Sequence, residues 1–445
     1  MMKKFAILVL FAGIASGLSA QEGDTLYFSL EEARDYAVAN NLNAENSRMD
    51  VEIADKRVWE TAAGGLPQVD ASISYNYNIN LATTLIPDFL NNPQEKIEVQ
   101  FGTKHYATAG ITANQMIFSG SYFVGLQTSR IYKEFSKRNL EKTEQDIQET
   151  VIQNYYLVLL SQRTLEALRG NLENTRKIYS DTRELYKSGF TDEIDVDQLE
   201  VTVTTLENSV RSMERQVEAT RNLLKYQMGL ERNKTIVLTD ELQEMVSMVD
   251  FESVLTREFN VSQNVDYQLL SRQEELAYMD LKLKRTEFMP NLSAFYSLDF
   301  TAQRDEFSFF DQDKEWYQAS MLGLSLNVPI LSSGARIMGL SQKRIEYEKA
   351  KNNKQFAAEG LRVEFMQARY DLANALETYR SEKKNLEVAG KVVDKTREKY
   401  REGVASSLEL TQVNDQYLQT LSSYTSAMVE VLNAKITMDI LLNTI

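Results

Sequence analysis

From Val69 the chain alternates without interruption: Val69, Ala71, Ile73, Tyr75, Tyr77, Ile79 and Leu81 are apolar, and Asp70, Ser72, Ser74, Asn76, Asn78 and Asn80 are polar. Successive strand side chains point to opposite faces, so the segment predicts a strand over about 68–81 with one dry face and one wet face. The pattern returns at Leu292, Ala294, Tyr296, Leu298 and Phe300, set against Asn291, Ser293, Ser297, Asp299 and Thr301, with Phe295 breaking the polar face. It predicts a second such strand over about 291–302. Returning strands are predicted over about 105–118 and 316–329, with Asn-, Asp- and Gln-containing loops at 82–104 and 302–315 between them. A face suited to lipid opposite a face suited to water is the signature of an outer-membrane barrel strand. A soluble sandwich strand alternates in the same way.

Elsewhere the period changes. Leu199, Val203, Leu206, Val210, Met213 and Val217 step by fours and threes, as do Val413, Tyr417, Thr420, Tyr424, Ala427 and Val431. Ile147, Val151, Val158, Leu165, Leu168 and Leu172 form a third seam that includes Asn154 and Ser161. This is the period of helices packed side by side at shallow angles. All five prolines lie at or between candidate strands, none between Gln94 and Met289 or after Pro329. Proline interrupts helices, so its absence permits long ones. Helices are predicted over 121–187, 192–229, 335–401 and 406–443. The first would run roughly 100 Å at the helical rise per residue. A globule of this chain length is only about 60 Å across, so an elongated molecule is expected unless the helix breaks at Gly170.

The same design occurs twice. Thr-Arg-Glu-Leu-Tyr-Lys-Ser-Gly at 182–189 returns as Thr-Arg-Glu-Lys-Tyr-Arg-Glu-Gly at 396–403, and Leu66-Pro67 as Met289-Pro290, with Asn41 and Asn264 equally far ahead of their prolines. Internal repetition fixes architecture. The fold class expected is mainly α with a β-barrel part: a duplicated helix–β-hairpin–helix unit, first copy at 21–229 and second at 263–445, with 230–262 between them. Four strands cannot close a barrel, which needs about eight. An open sheet edge in lipid leaves backbone groups unpaired. The barrel must then be shared among copies related by rotation, eight strands from two or twelve from three.

The first twenty residues read as a secretory signal: Lys3 and Lys4, an apolar stretch from Phe5 to Ile14, and small residues at Ser19-Ala20. The net charge of −15 argues against nucleic acid as a partner. With no cysteine, disulfides and thiolate metal sites are excluded. The one histidine, His105, has no partner histidine and is read as incidental. Beyond the signal no apolar run approaches the roughly 18 residues of a spanning helix. Paired carboxylates such as Glu31-Glu32 and Glu274-Glu275 read as solvated helix faces. No phosphate-binding glycine loop and no enzymatic constellation is present.

Taken in order, these features resemble the TolC-like outer-membrane efflux proteins. The resemblance rests on Leu30-Glu31-Glu32-Ala33, Ala39-Asn40-Asn41, the Leu66-Pro67 step into the first strand, and Phe118-Ser119-Gly120 and Ser332-Ser333-Gly334 ahead of the long helices. Most specific is Tyr-x-x-Gly before a heptad helix, at Tyr186–Gly189 and Tyr400–Gly403. The resemblance implies a homotrimer with a twelve-stranded barrel in the outer membrane over a periplasmic tunnel of coiled helices. It implies a passive exit duct for drugs, ions or polypeptides, coupled to a periplasmic adaptor and an inner-membrane pump, with no cofactor and no catalysed reaction. Residues 230–262 look like the family's equatorial segment. A secreted trimeric coiled-coil adhesin or an adaptor-like hairpin protein remains as the alternative.

The resemblance places the adaptor-docking tips at Tyr186, Gly189, Tyr400 and Gly403. It places a candidate entrance constriction at Glu409, Gln412 and Asp195. Two acidic residues are common in the family six and nine positions after the second tip glycine; this chain has Glu409 and Gln412 there, with Asp195 and Gln198 in the first repeat. Ser406-Ser407-Leu408-Glu409 also fits a helix capping box, so Glu409 is either a cap or one member of an acidic ring in the lumen.

Overall fold

The computed structural model describes residues 25–88 and 92–445. The expected signal segment lies outside them. The first half runs β1 (Thr25–Phe28), α1 (Leu30–Asn40), α2 (Leu42–Ala63), β2 (Gln68–Tyr77), β3 (Thr83–Asp88), β4 (Asn92–Gln100), β5 (His105–Phe118), α3 (Gly120–Lys187) and α4 (Glu193–Met228). A bridging stretch holds β6 (Thr235–Leu238), α5 (Leu242–Met248), α6 (Phe251–Thr256) and a short 3-10 turn at Val261–Gln263. The second half runs α7 (Val265–Thr286), β7 (Asn291–Arg304), β8 (Tyr317–Asn327), α8 (Ala335–Arg401) and α9 (Ser407–Leu442). The chain packs as two compact units. One takes the chain up to Leu42 with Asp146–Arg257 and Arg369–Met438; the other takes Asn43–Gln145, Glu258–Ala368 and Asp439–Ile445.

The second of these units contains an antiparallel sheet of order β2-β5-β7-β8. Its register puts Val69 opposite Ala113, Ala113 opposite Tyr296, and Tyr296 opposite Leu322. Residues directly opposite one another share a face, so the alternation read from sequence becomes a mainly apolar face over the four strands, interrupted by Gln115 on β5 and by Gln318 and Ser320 on β8. Ile73 and Leu322 on it are 85% and 79% exposed, far more than a soluble sheet leaves uncovered. On the opposite face Asp70, Thr112 and Ser297 form a row. Phe295, the exception to the polar face, lies on Gly323, where any side chain would collide with its ring. Both outer strands, β2 and β8, are paired on one side only among the described residues.

One expectation is corrected here. The loop expected at 82–104 contains the β3–β4 hairpin, paired from Thr83↔Gln100 to Asp88↔Asn92. His105, given no functional role from the sequence, has a packing role: its Nδ1 lies 2.9 Å from the Tyr75 hydroxyl, and its ring packs among Tyr75, Tyr77, Phe307 and Phe309.

In the other unit β1 pairs in parallel with β6, from Thr25↔Thr235 to Phe28↔Leu238. Beneath this ribbon the Tyr155 hydroxyl lies 2.9 Å from Asp240 Oδ2 and 3.0 Å from the Phe28 carbonyl, and the Leu30 N–H donates to the same Asp240 carboxylate. Burial and then the neighbouring Asp240 raise the Tyr155 pKa. The seams predicted by the 3-4 period are dry where expected: Leu172, Leu206 and Val210 form a buried cluster with Leu165, Leu168 and Val203 against it. The polar seam members Asn154 and Ser161 donate to carbonyls one turn back in their own helix, so neither leaves a group unpaired. α3 runs unbroken through Gly170 for 68 residues, about 100 Å of helix.

The repeat extends to single hydrogen bonds. Asn41 Nδ2 donates to the Gln227 carbonyl (2.8 Å), and its counterpart Asn264 donates to the Leu441 carbonyl (3.3 Å). The helices so tied end in left-handed residues at equivalent places, Gly229 (φ 72°) and Asn443 (φ 56°).

Candidate functional site

The two tip sequences fold into the same turn. At the end of α3 the Phe190 N–H reaches the Leu185 carbonyl and the Gly189 N–H reaches Tyr186 (both 2.9 Å). At the end of α8 the Val404 N–H reaches Lys399 (2.9 Å) and the Gly403 N–H reaches Tyr400 (3.0 Å). This closure of the last turn needs a left-handed residue, and Gly189 (φ 79°) and Gly403 (φ 72°) supply it. No atom crowds either glycine within 4 Å, so the requirement is dihedral rather than steric. The residue after each turn is bare, Phe190 at 80% and Val404 at 72% exposed.

The helices that leave the turns start differently. Ser406 Oγ accepts from the Glu409 N–H (3.1 Å), which is the forward half of the capping box. The Glu409 carboxylate takes no hydrogen bond among the described residues and is exposed, as is Gln412. In the first repeat Asp192 occupies the cap position without a side-chain bond. There Asp195, half-buried, accepts from Thr191 Oγ1 (2.7 Å). The equivalent acids Asp195 and Glu409 therefore differ: one is tethered to its own turn and the other projects unengaged.

The structure groups Tyr186, Gly189 and Asp195 at one turn, and Tyr400, Gly403, Glu409 and Gln412 at the other. Between α3 and α8 one bond was missed by sequence reasoning. The Tyr400 hydroxyl lies 2.8 Å from Thr182 Oγ1, and Thr182 is 2% exposed. Its signal lay in the motif itself, which opens on Thr182 in one copy and Thr396 in the other. Tyr186, the counterpart of Tyr400, is 39% exposed. Along the hairpin of α3 and α4, Arg169–Glu214 and Arg176–Glu207 pair at 2.6 Å; the hydrogen bond from Arg176 holds the Glu207 carboxyl below its usual range. No group of His, Asp and Glu suited to a metal ion occurs among the described residues.

A family model described as outer membrane efflux protein matches residues 34–230 and 268–444. The chain belongs to the outer membrane efflux protein family. The matched stretches leave residues 231–267, which hold β6, α5 and α6, outside them. Solved structures with the same fold include the CmeC outer membrane channel of Campylobacter jejuni (TM-score 0.73, 16% identity, covering 93% of this chain and 85% of that one). They also include the outer membrane protein VceC of Vibrio cholerae (0.69, 12%, 93% and 95%) and the open state of the MtrE outer membrane channel of Neisseria gonorrhoeae (0.70, 14%, 93% and 88%). No curated protein sequence matches the chain significantly. This member of the family is an outer-membrane channel, an exit duct of the tripartite efflux type. Its family and fold are those of channels. No described helix is long and apolar enough to cross a membrane.

Proposed function

We propose that the protein works as a homotrimer in which each copy contributes β2, β5, β7 and β8 to one twelve-stranded barrel. The supporting observation is an apolar sheet face that ends in two unpaired borders, β2 and β8. In hydrocarbon each unpaired backbone group costs several kcal/mol, and pairing β8 of one copy with β2 of the next removes both borders. The hairpin turns at Gly189 and Gly403, with Tyr186 and Tyr400 beside them, dock a periplasmic adaptor. That adaptor links the duct to an inner-membrane pump, and Glu409, Gln412 and Asp195 line its entrance. Passage is passive, catalyses no reaction and needs no cofactor; opening follows from the adaptor's greater affinity for the open state. The test is native mass in mild detergent together with conductance in planar bilayers. A trimer that conducts and loses its pores on heating to single chains is expected; a lone subunit that conducts overturns the reading.

A further inference from the structure

The repeat maps α3 onto α8 and α4 onto α9, and Thr182 onto Thr396 with Tyr186 onto Tyr400, each shifted by the same 214 positions (182 to 396). Within one chain only half of the resulting pattern is satisfied. Thr182 on α3 meets Tyr400 on α8 through their hydroxyls. Thr396 and Tyr186 are the same two residues with the copies exchanged, and neither hydroxyl has a hydrogen-bond partner among the described residues. Thr396 is 7% exposed as a residue, and its hydroxyl is not among the fully buried side-chain atoms that lack a partner, so it stays open to a group arriving from outside the chain.

A ring supplies the missing half. If a rotation carries the first hairpin onto the second, the same rotation carries the second onto the first hairpin of the next copy. The contact made by Thr182 and Tyr400 inside a chain then recurs between chains as Thr396 with Tyr186. The helices beside it agree. Inside the chain, Asn174 of α3 and Asp415 of α9 line neighbouring cavities on the border between those helices. Their counterparts on the other border are Val388 of α8 and Val201 of α4, which are 53% and 67% exposed. Val388 also lines a cavity with Val413 and Gln416 of α9, and exposed valines at these two counterpart positions suit a border that a second copy covers.

We infer that the Tyr186 hydroxyl of one copy hydrogen-bonds Thr396 of the neighbouring copy, so that the tips are latched by one tyrosine–threonine bond type alternating within and between chains. The inference rests on the ring proposed above. It deepens that reading by naming the residues of the subunit border at the tip and its occupant, a second copy of this chain.

The absence of cysteine makes the test clean. Thr182→Cys with Tyr400→Cys, treated with a short bifunctional maleimide on the intact protein in detergent, is expected to link within one chain and stay at monomer mass on a denaturing gel. Tyr186→Cys with Thr396→Cys is expected to give covalent dimers and trimers, several-fold above either single variant. A trimer by native mass in which the second pair gives no inter-chain product, while the first pair reacts, overturns the latch and leaves the trimer standing. A monomer by native mass overturns both. Should the cysteine variants fail to assemble, the heat stability of the trimer decides with Tyr186→Phe, Thr396→Val and the two together. Equal loss in all three is expected, and additive losses overturn the bond.

Discussion

Asn264 shows how much one side chain can organise. It is 2% exposed, its carbonyl oxygen caps α7 by accepting from the Asp266 and Tyr267 N–H groups, and its amide donates to the last turn of α9. Asn264→Ala removes the cap and orphans the Leu441 carbonyl together, at an expected cost of about 2 kcal/mol. Asn264→Ser restores the cap and should recover roughly half of it; denaturant unfolding of both variants checks the split. Tyr424 carries a different prediction. Burial pushes its pKa up to about 12, and its hydroxyl donates to Gln243 Oε1 (2.8 Å). An unfolded tyrosine ionises near 10. Between about 10 and 12 the unfolded chain therefore loses this proton first, and stability falls as pH rises through that window. Thermal melts of the wild type should drop over it, and Tyr424→Phe should flatten the drop. An unchanged slope in the variant would assign the alkaline loss to other groups.

At the scale of elements, the turns are the sharpest test of the repeat. Gly189 and Gly403 hold the left-handed conformation with no neighbour in the way. Alanine at either place meets only the backbone penalty, about 1–2 kcal/mol. Gly189→Ala and Gly403→Ala should thus lower stability alike, without changing assembly, and unequal losses would show that the turns are not equivalent. The same elements show what the sequence made legible. Strands β2 and β7 could be read because each has one apolar face, which fixes the alternation. The helices could be read because their seams repeat and proline is absent. β3 and β4 were hidden because Pro87 and Pro93 interrupt a short run of Thr83, Thr84, Leu85 and Ile86. The β1–β6 pair was invisible for another reason: its partners lie 210 positions apart (25 to 235), and four-residue strands carry no periodicity of their own. The packing of His105 was not legible because its partners, Tyr75 on the one hand and Phe307 and Phe309 on the other, come from two separate stretches of chain. Of the candidate site, the turns were written in the sequence, whereas the Thr182–Tyr400 bond needed the fold to bring two helix ends together.

For the assembled channel, the open question raised by the sequence is whether Glu409 caps a helix or charges a pore. The structure separates the two roles. Ser406 Oγ does the capping, accepting from the Glu409 backbone, while the Glu409 carboxylate stands exposed and unengaged among the described residues. Capping therefore uses the backbone of position 409 and leaves its charge available. In the proposed trimer the charge recurs by symmetry as an acidic ring, and such rings attract cations. Asp195, its first-repeat counterpart, is held by Thr191 and contributes less to the ring. Two variants pull the roles apart. Glu409→Ala keeps the Ser406 cap and removes the charge, so single-channel conductance should rise and block by divalent cations should weaken several-fold, with little loss of stability. Ser406→Ala removes the cap and keeps the charge, so it should cost about 1 kcal/mol and leave the divalent block unchanged. Asp195→Ala should shift the block less than Glu409→Ala does. Bilayer recordings with and without a divalent cation decide the matter. If Glu409→Ala conducts and blocks as the wild type does, the carboxylate lies outside the ion path and position 409 serves the helix alone.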